Sequence, residues 1–496
     1  MAGPDALLSW AIAAIFMMFV ALPLCEIGSM LPVSGGMANY PTITHGKGVG
    51  FLFAWTSWLS YVVVGPIELQ AVLQYASHFF PSLIQENTTT LALSGTGYVI
   101  AFILLLLITL LNTCGIKLLA ECSKYAGLIK FMIPVLTIFS LFQSAESFHH
   151  NITFTLNHSK SWSDIFSALS SGGIAFAFLG FQTGLMLAGE AKKPQRDIPF
   201  AVLGSIILAF ILYFLLQFSF IASIPEQYIS QGWASLSYPG SVSPLVGLTL
   251  LLGLPVIATL LLIDSSLSPL GTALVYTTGT SRILYSMAVH QHLPSFLLKL
   301  NKYKIPYITL IINFIVGMLS FLPFPGWQKM VSFLSSTGIL SYTVGALCLP
   351  AMRKMLPNQK RPFRLAYANV ICTIAFCVCN LMLLWCGFSI IWKLYVALFI
   401  GLFIHLFYQK DREMLKQRSL QWFFLYITTL LVLSYLSSFE GIHALDFPTD
   451  MFVLIPVSIF IFFLGQKCTI NDDATDISKR LQLIKDELDD HAAELS

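Results

Sequence analysis

Three ionisable residues stand inside long apolar stretches of this 496-residue chain: Glu68 in VVVGPIELQAVLQY, Lys130 in YAGLIKFMIPVL and Asp264 in LLLIDSSLSPLG. A charged side chain at the centre of a lipid bilayer costs roughly 2.5–3.5 kcal/mol on insertion scales, so such residues face protein or water and carry a functional hypothesis by default. Glu68 follows Pro66, whose ring frees a helical carbonyl. A carboxylate there serves as a proton carrier, as a partner for an amine, or as a hydrogen-bonded structural acid. Lys130 reads either as a desolvated ammonium with a buried partner or as a lysine snorkelling to the membrane boundary. Asp264 has Ser265, Ser266 and Ser268 around it. Hydroxyls, carbonyls and one carboxylate suit a hard cation or other polar ligand, and the alternative is a solvated residue near the outer end of its helix.

A second chemical signal is SSGGIAFAFLGFQTGLMLAGEAKKPQRDIP, Ser170 to Pro199. Gly172, Gly173, Ala175, Ala177 and Gly180 occupy the middle of an apolar segment where a continuous helix favours Leu, Ile or Val. Unwound backbone at membrane depth is tolerated only where its free N–H and C=O groups meet protein, water or a ligand. The other reading of the same residues is close packing against a neighbouring helix.

These residues need spanning helices to position them. The chain is 56% hydrophobic and 10% charged, against roughly 25% charged in soluble proteins. Taking about 20 apolar residues per crossing, thirteen spans are expected, near 6–28, 50–76, 98–115, 126–142, 164–188, 199–223, 246–278, 305–322, 329–350, 366–386, 389–408, 420–437 and 451–465. The seventh is long, contains Pro255 and Pro269 and is expected to tilt or bend. With these spans, 24 of the 27 Lys and Arg residues fall on one face. That face is cytoplasmic by the positive-inside rule, which places Ser496 inside.

Other classes are excluded or weak. A net charge of +3 without a basic–aromatic run gives no nucleic-acid surface. No HExxH, GxSxG, Walker A or EF-hand sequence occurs, so no enzyme, cofactor or metal site is expected. The nine cysteines have no metal-ligand spacing and read as small buried hydrophobes; the ten histidines, among them His149 and His150, form no metal set. Asn87 and Asn151 sit in glycosylation sequons and are given no role. The segment LPVSGGMANYP, Leu31 to Pro41, reads as a tight turn at Gly35 and Gly36.

Four separated motifs resemble the amino acid–polyamine–organocation transporter superfamily: CEIGSMLPVSGG (Cys25 to Gly36), FAFLGFQ followed by GEAKKPQRDIP (Gly189 to Pro199), SRILYSMAVHQHLP (Ser281 to Pro294) and LSYTVGALCLPAMRK (Leu340 to Lys354). The resemblance implies an all-α polytopic bundle of the leucine-transporter type, with inverted repeats and substrate bound at a broken helix near the midplane. It aligns the first span here with the family's second helix and the fifth with its sixth. The family's first helix then has no counterpart, which is read as a start further upstream in preference to a degenerate relic.

On this resemblance Phe176, Ala177, Phe178, Gly180 and Gln182 line the substrate cradle. Lys130 falls where proton-coupled members carry an ammonium in place of a sodium ion. The proton then loads at Lys130 or Glu68, while Asp264, Ser265 and Ser268 form a possible ion or polar site. Glu26 and Glu190, at cytoplasmic helix ends, are gate or scaffold residues. The expected activity is secondary active transport of an amino acid or related amine, by proton-coupled symport or exchange, in the cytoplasmic membrane. The partners are the substrate, a proton or sodium ion, and lipid. The rival is a non-transporting membrane scaffold or sensor. Residues 1–408 are expected to form the core and 409–468 two added spans, an ending that resembles acidic-amino-acid:proton symporters. From 469, Ile477, Leu481, Ile484 and Leu488 mark a short amphipathic tail.

Overall fold

Every one of the thirteen apolar segments carries helix in the computed structural model, which describes residues 3–32, 36–85, 91–114, 116–144, 162–170, 172–186, 188, 191, 193–229, 233, 236, 243–409 and 416–470. Among the described residues, β structure is limited to isolated bridges. Among the described residues nine helices are long and apolar enough to cross a membrane, ten if one bent pair is counted as a single span, beside three shorter apolar helices.

Two spans are enclosed on every side. One is the pair α3 (Lys47–Val62) and α4 (Val64–Ala76), following α1 (Ala6–Met30) and α2 (Gly36–His45). The other is α15 (Trp327–Met355). Around them run α5 (Gly95–Thr113), α6 (Ile116–Gln143), the broken segment α7 (Trp162–Ser170), α8 (Ile174–Ala177) and α9 (Thr183–Met186), and α10 (Pro194–Ser223). The short helices α11 (Glu226–Ile229) and α12 (Pro244–Leu251) lead into α13 (Pro255–Val289), and α14 (Tyr307–Ser320) precedes α15. Peripheral helices turn an apolar stripe outward, as Ile207, Ile211 and Leu215 do on α10 at four-residue spacing. Such a stripe is the lipid face of a multi-pass membrane protein.

Polar groups fasten the enclosed helices. Glu26, fully buried near the end of α1, accepts from Arg353 Nε at 2.8 Å, from the terminal guanidinium nitrogen at 2.6 Å and from the Leu365 amide at 2.7 Å. Arg361 stands 3.6 Å away. The predicted cytoplasmic-end acid is thus a clamp joining α1, α15 and the following loop. Removing one partner of a buried pair strands the other charge. Glu26→Gln is therefore expected to destabilise the protein by about 3 kcal/mol, the low end of that effect because Arg353 keeps 24% side-chain exposure. A thermal-melting shift in detergent measures it, and an unchanged melt would remove the clamp.

After α16 (Ala368–Leu384) and α17 (Phe388–Gln409), the last helices α18 (Arg418–Leu436) and α19 (Thr449–Lys467) join the bundle through Asn380 of α16. Tyr426 Oη donates to Asn380 Oδ1 at 2.6 Å, and Asn380 Nδ2 donates to Ser458 Oγ at 3.0 Å. Interhelical polar bonds of this kind specify partners where lipid gives no hydrophobic drive.

Three expectations are refined. The seventh span is not one bent helix over 246–278: Gly253, at φ +70°, and Pro255 at the next helix start separate α12 from α13, which continues to Val289. The second span is likewise divided, at Val63. The Leu31–Pro41 turn gives way to α2, whose first residue is Gly36. Cys114 is exposed and Cys468 half-buried, whereas Cys25, Cys348, Cys372, Cys377, Cys379 and Cys386 are buried as expected of small hydrophobes. Gly35, Glu190, His149, His150, Asn87, Asn151 and the tail with Ile477, Leu481, Ile484 and Leu488 lie outside the described residues.

Candidate functional site

The glycine-rich span breaks as its composition requires. Gly173 takes the left-handed conformation at φ +85°, α8 completes a single turn, and Gly180 stands at φ +114° before α9 begins. The α7 axis and the continuing helix meet at 45°. Breaking a helix inside a membrane frees backbone donors that need protein acceptors. Gln182 supplies one: its Oε1 accepts the Gly180 amide at 2.8 Å and also the Tyr342 hydroxyl of α15. Phe181 packs on the same tyrosine, ring centroids 4.7 Å apart. The break is therefore tied to the enclosed helix α15.

Against it lies a cavity of about 240 Å³. Phe176, Ala177, Leu179 and Gln182 of the broken segment form one wall. Ser60, Tyr61, Val64 and Glu68 of α3 and α4 form the facing one. Tyr213 of α10, Thr272 and Tyr276 of α13, and Leu334 and Gly338 of α15 close it. The Tyr61 and Tyr276 rings are 5.0 Å apart, and the Tyr61 hydroxyl is turned toward Gln182 and Thr183. A Cβ built on Gly180 would come 3.4 Å from the Tyr276 hydroxyl, which puts the Gly180 backbone at the edge of the site.

Of the expected cradle residues, Phe176, Ala177 and Gln182 line the cavity. Phe178 does not: it is buried against Trp10, at 5.8 Å, and against Tyr213. Tyr61, Tyr213, Thr272, Tyr276, Leu334 and Gly338 were not singled out from sequence. One signal for two of them was present, because Asp264, Ser268, Thr272 and Tyr276 recur every four residues and form a polar stripe on an apolar helix.

The three intramembrane charges converge. Lys130 Nζ donates to Thr272 Oγ1 at 2.5 Å, and Thr272 donates onward to the Ser268 carbonyl at 3.1 Å. Lys130 lies within electrostatic range of both Glu68 and Asp264, although no ion pair within 4 Å joins them among the described residues, so α4, α6 and α13 bring three charges into one region. Asp264 Oδ1 is buried without a hydrogen-bond donor among the described residues. Ser265 spends its proton on the Leu262 carbonyl at 2.7 Å. Only Glu68 of the three charges borders the cavity. Among the described residues no group of three or more His, Cys, Asp or Glu side chains is arranged to hold a metal.

Residues 1–424 match the family described as amino acid permease. Over 97% of its length the chain is 32% identical to the glutamate/serine transporter AimA of Bacillus subtilis (strain 168), covering 91% of that protein. The aspartate-proton symporter of the same organism is 29% identical, over 96% of this chain and 92% of its own. The L-asparagine permease of Escherichia coli (strain K12) is 26% identical, over 73% of this chain and 71% of its own.

Proposed function

The chain belongs to the amino acid permease family and is an amino acid transporter rather than an enzyme, and on that premise we propose that it moves its substrate by proton-coupled alternating access through the cavity at the broken helix. The observation that carries this reading is the cavity itself: a single wall combines the broken backbone around Gly180 with the Gln182 side chain, and the facing wall carries a carboxylate. Half-helix ends and unwound backbone are the means by which transporters hold charged substrate groups at the midplane. The volume, about 240 Å³, lies below the roughly 300–1,000 Å³ of sites for drug-sized ligands. It suits one free amino acid.

Coupling follows from charge balance. Two carboxylates and one ammonium stand within electrostatic range of one another at Glu68, Asp264 and Lys130, so the fully ionised set is one negative charge in excess. One proton neutralises it, and in a low-dielectric site neutral is cheaper than charged. The aspartate-proton symporter among the relatives supports the same ion. The name of the glutamate/serine relative supports small polar or acidic amino acids as substrates.

Proteoliposomes test the reading. Labelled glutamate, aspartate or serine is expected to accumulate when the lumen is made alkaline and to leave when a protonophore is added, with no response to a sodium gradient. Accumulation driven by sodium alone would refute proton coupling.

The basic-residue asymmetry further supports a cytoplasmic-membrane location with Ser496 inside. Reporters fused after Lys193 or Arg361 are expected to be cytoplasmic, and reporters inserted near Asn157 or Gln231 to be external. An external Arg361 overturns both the orientation and the count of spans.

A further inference from the structure

Tyr61 also borders a second and much smaller chamber, of about 20 Å³, to which the broken helix contributes no lining residue. It is bounded by Val62, Gly65 and Pro66 at the α3–α4 division, Leu105 and Thr109 of α5, Thr277 and Thr280 of α13, and Asn313 and Phe314 of α14. Its donors and acceptors can be assigned. The Trp58 indole only donates hydrogen bonds, and it donates to Asn313 Oδ1 at 2.9 Å, which fixes the amide and leaves Nδ2 as the group facing elsewhere. Asn313 is 94% buried, at 6% exposure, and its Nδ2 finds no acceptor among the described residues.

The other walls offer acceptors. Pro66 has no N–H to give to the Val62 carbonyl, the usual partner four residues back. Thr109, Thr277 and Thr280 each donate to a carbonyl of their own helix, at 2.8, 2.7 and 2.6 Å, so lone pairs rather than protons remain. One donor and several acceptors around such a volume match one occupant. A water molecule needs at least ~10–15 Å³ and two to four polar partners, whereas a cation would meet the Asn313 N–H head-on.

We infer that this chamber is a permanent site for a single water molecule, which accepts from Asn313 Nδ2, donates to the Val62 carbonyl, and thereby ties the division between α3 and α4 to α14. Glu68 lies two residues beyond Pro66, so the tie also sets where its carboxylate stands relative to Lys130 of α6 and the Tyr276 hydroxyl of α13, the groups that face it. This second consequence rests on the reading of Glu68 as the proton carrier.

Gly65→Ala is the plug that tests it. A Cβ at position 65 meets Leu105 Cδ1 at 3.4 Å and Thr277 Oγ1 at 4.0 Å, ordinary contacts, so the methyl enters the chamber without a clash. Hydroxyl-radical footprinting of the full chain in nanodiscs labels buried side chains beside ordered water. Leu105 and Pro66, both buried, are expected to be labelled in the native chain, with and without sodium, and to fall to background in Gly65→Ala. The pH midpoint of uptake is expected to shift in the same variant. Native labelling at background, labelling that persists in Gly65→Ala, or labelling abolished by sodium overturns the water site. Labelling lost with an unmoved pH midpoint overturns the link to Glu68. Absence of any proton dependence in the native chain overturns the reading of Glu68 and leaves the footprint to decide the chamber.

Discussion

Gly180→Leu abolishes uptake of labelled amino acid by the reconstituted protein while expression and membrane insertion persist. At φ +114° a side chain of L configuration is strained wherever it points, and a residue forced into such a region costs on the order of 1–3 kcal/mol. The direction makes it worse. The first atom of the new side chain already stands 3.4 Å from the Tyr276 hydroxyl, so the three further carbons of leucine must displace that tyrosine or fill the cavity edge. Either outcome moves the Gly180 amide off Gln182 and blocks close approach of substrate to the broken segment. Displacements of about 1 Å at a reacting or binding group cost on the order of 100-fold in rate, and uptake is expected to fall at least that far. Gly180→Ala, which adds only the atom in ordinary contact, retains measurable transport with a raised half-saturation concentration. Uptake by Gly180→Leu at the native rate would show that substrate does not pass this wall.

The spans were legible because hydropathy over about 20 residues requires no knowledge of packing, and the glycine cluster at Gly173 and Gly180 was legible as either a break or a close helix contact, between which composition alone does not choose. What faces the cavity was not. Helical phase can be projected along a continuous helix, but beyond Ala177 the phase is lost, and Phe176 turns in while Phe178 turns away against Trp10 and Tyr213. Glu26 was read as a gate or scaffold residue from its position at a helix end. Its partners Arg353 and the Leu365 amide come from more than 300 residues away and leave no local trace. Tyr213 is one of six aromatics on its helix, beside Phe200, Phe210, Phe214, Phe218 and Phe220, so its ring alone does not mark it. The Asp264–Ser268–Thr272–Tyr276 stripe was visible, yet a stripe names a face without naming the neighbour, and only the α6 packing brings Lys130 to Thr272.

That packing turns three separate candidates into one coupled system and so sharpens the prediction about coupling. Glu68 borders the cavity and Lys130 does not. On the proton-coupled reading proposed above, the carboxylate is the group that exchanges a proton in step with substrate, and the lysine, which donates to Thr272, is its counter-charge. Glu68→Gln keeps the shape and the hydrogen-bonding capacity of the side chain but cannot take up or release a proton. This variant is expected to catalyse exchange of labelled for unlabelled substrate at a rate independent of pH and to lose accumulation against a gradient entirely. Lys130→Ala leaves a titrating carboxylate without its ammonium neighbour, so accumulation is expected to survive in weakened form with its pH midpoint displaced. The ordering of the two phenotypes is the test. A Glu68→Gln protein that concentrates substrate with native pH dependence removes the carboxylate from the coupling step. If Lys130→Ala alone then loses all pH dependence, the ammonium is the proton carrier. Should both variants concentrate substrate with unaltered pH dependence, proton coupling through this cluster is refuted, because no protonation within it would any longer discriminate between the two states that alternating access requires.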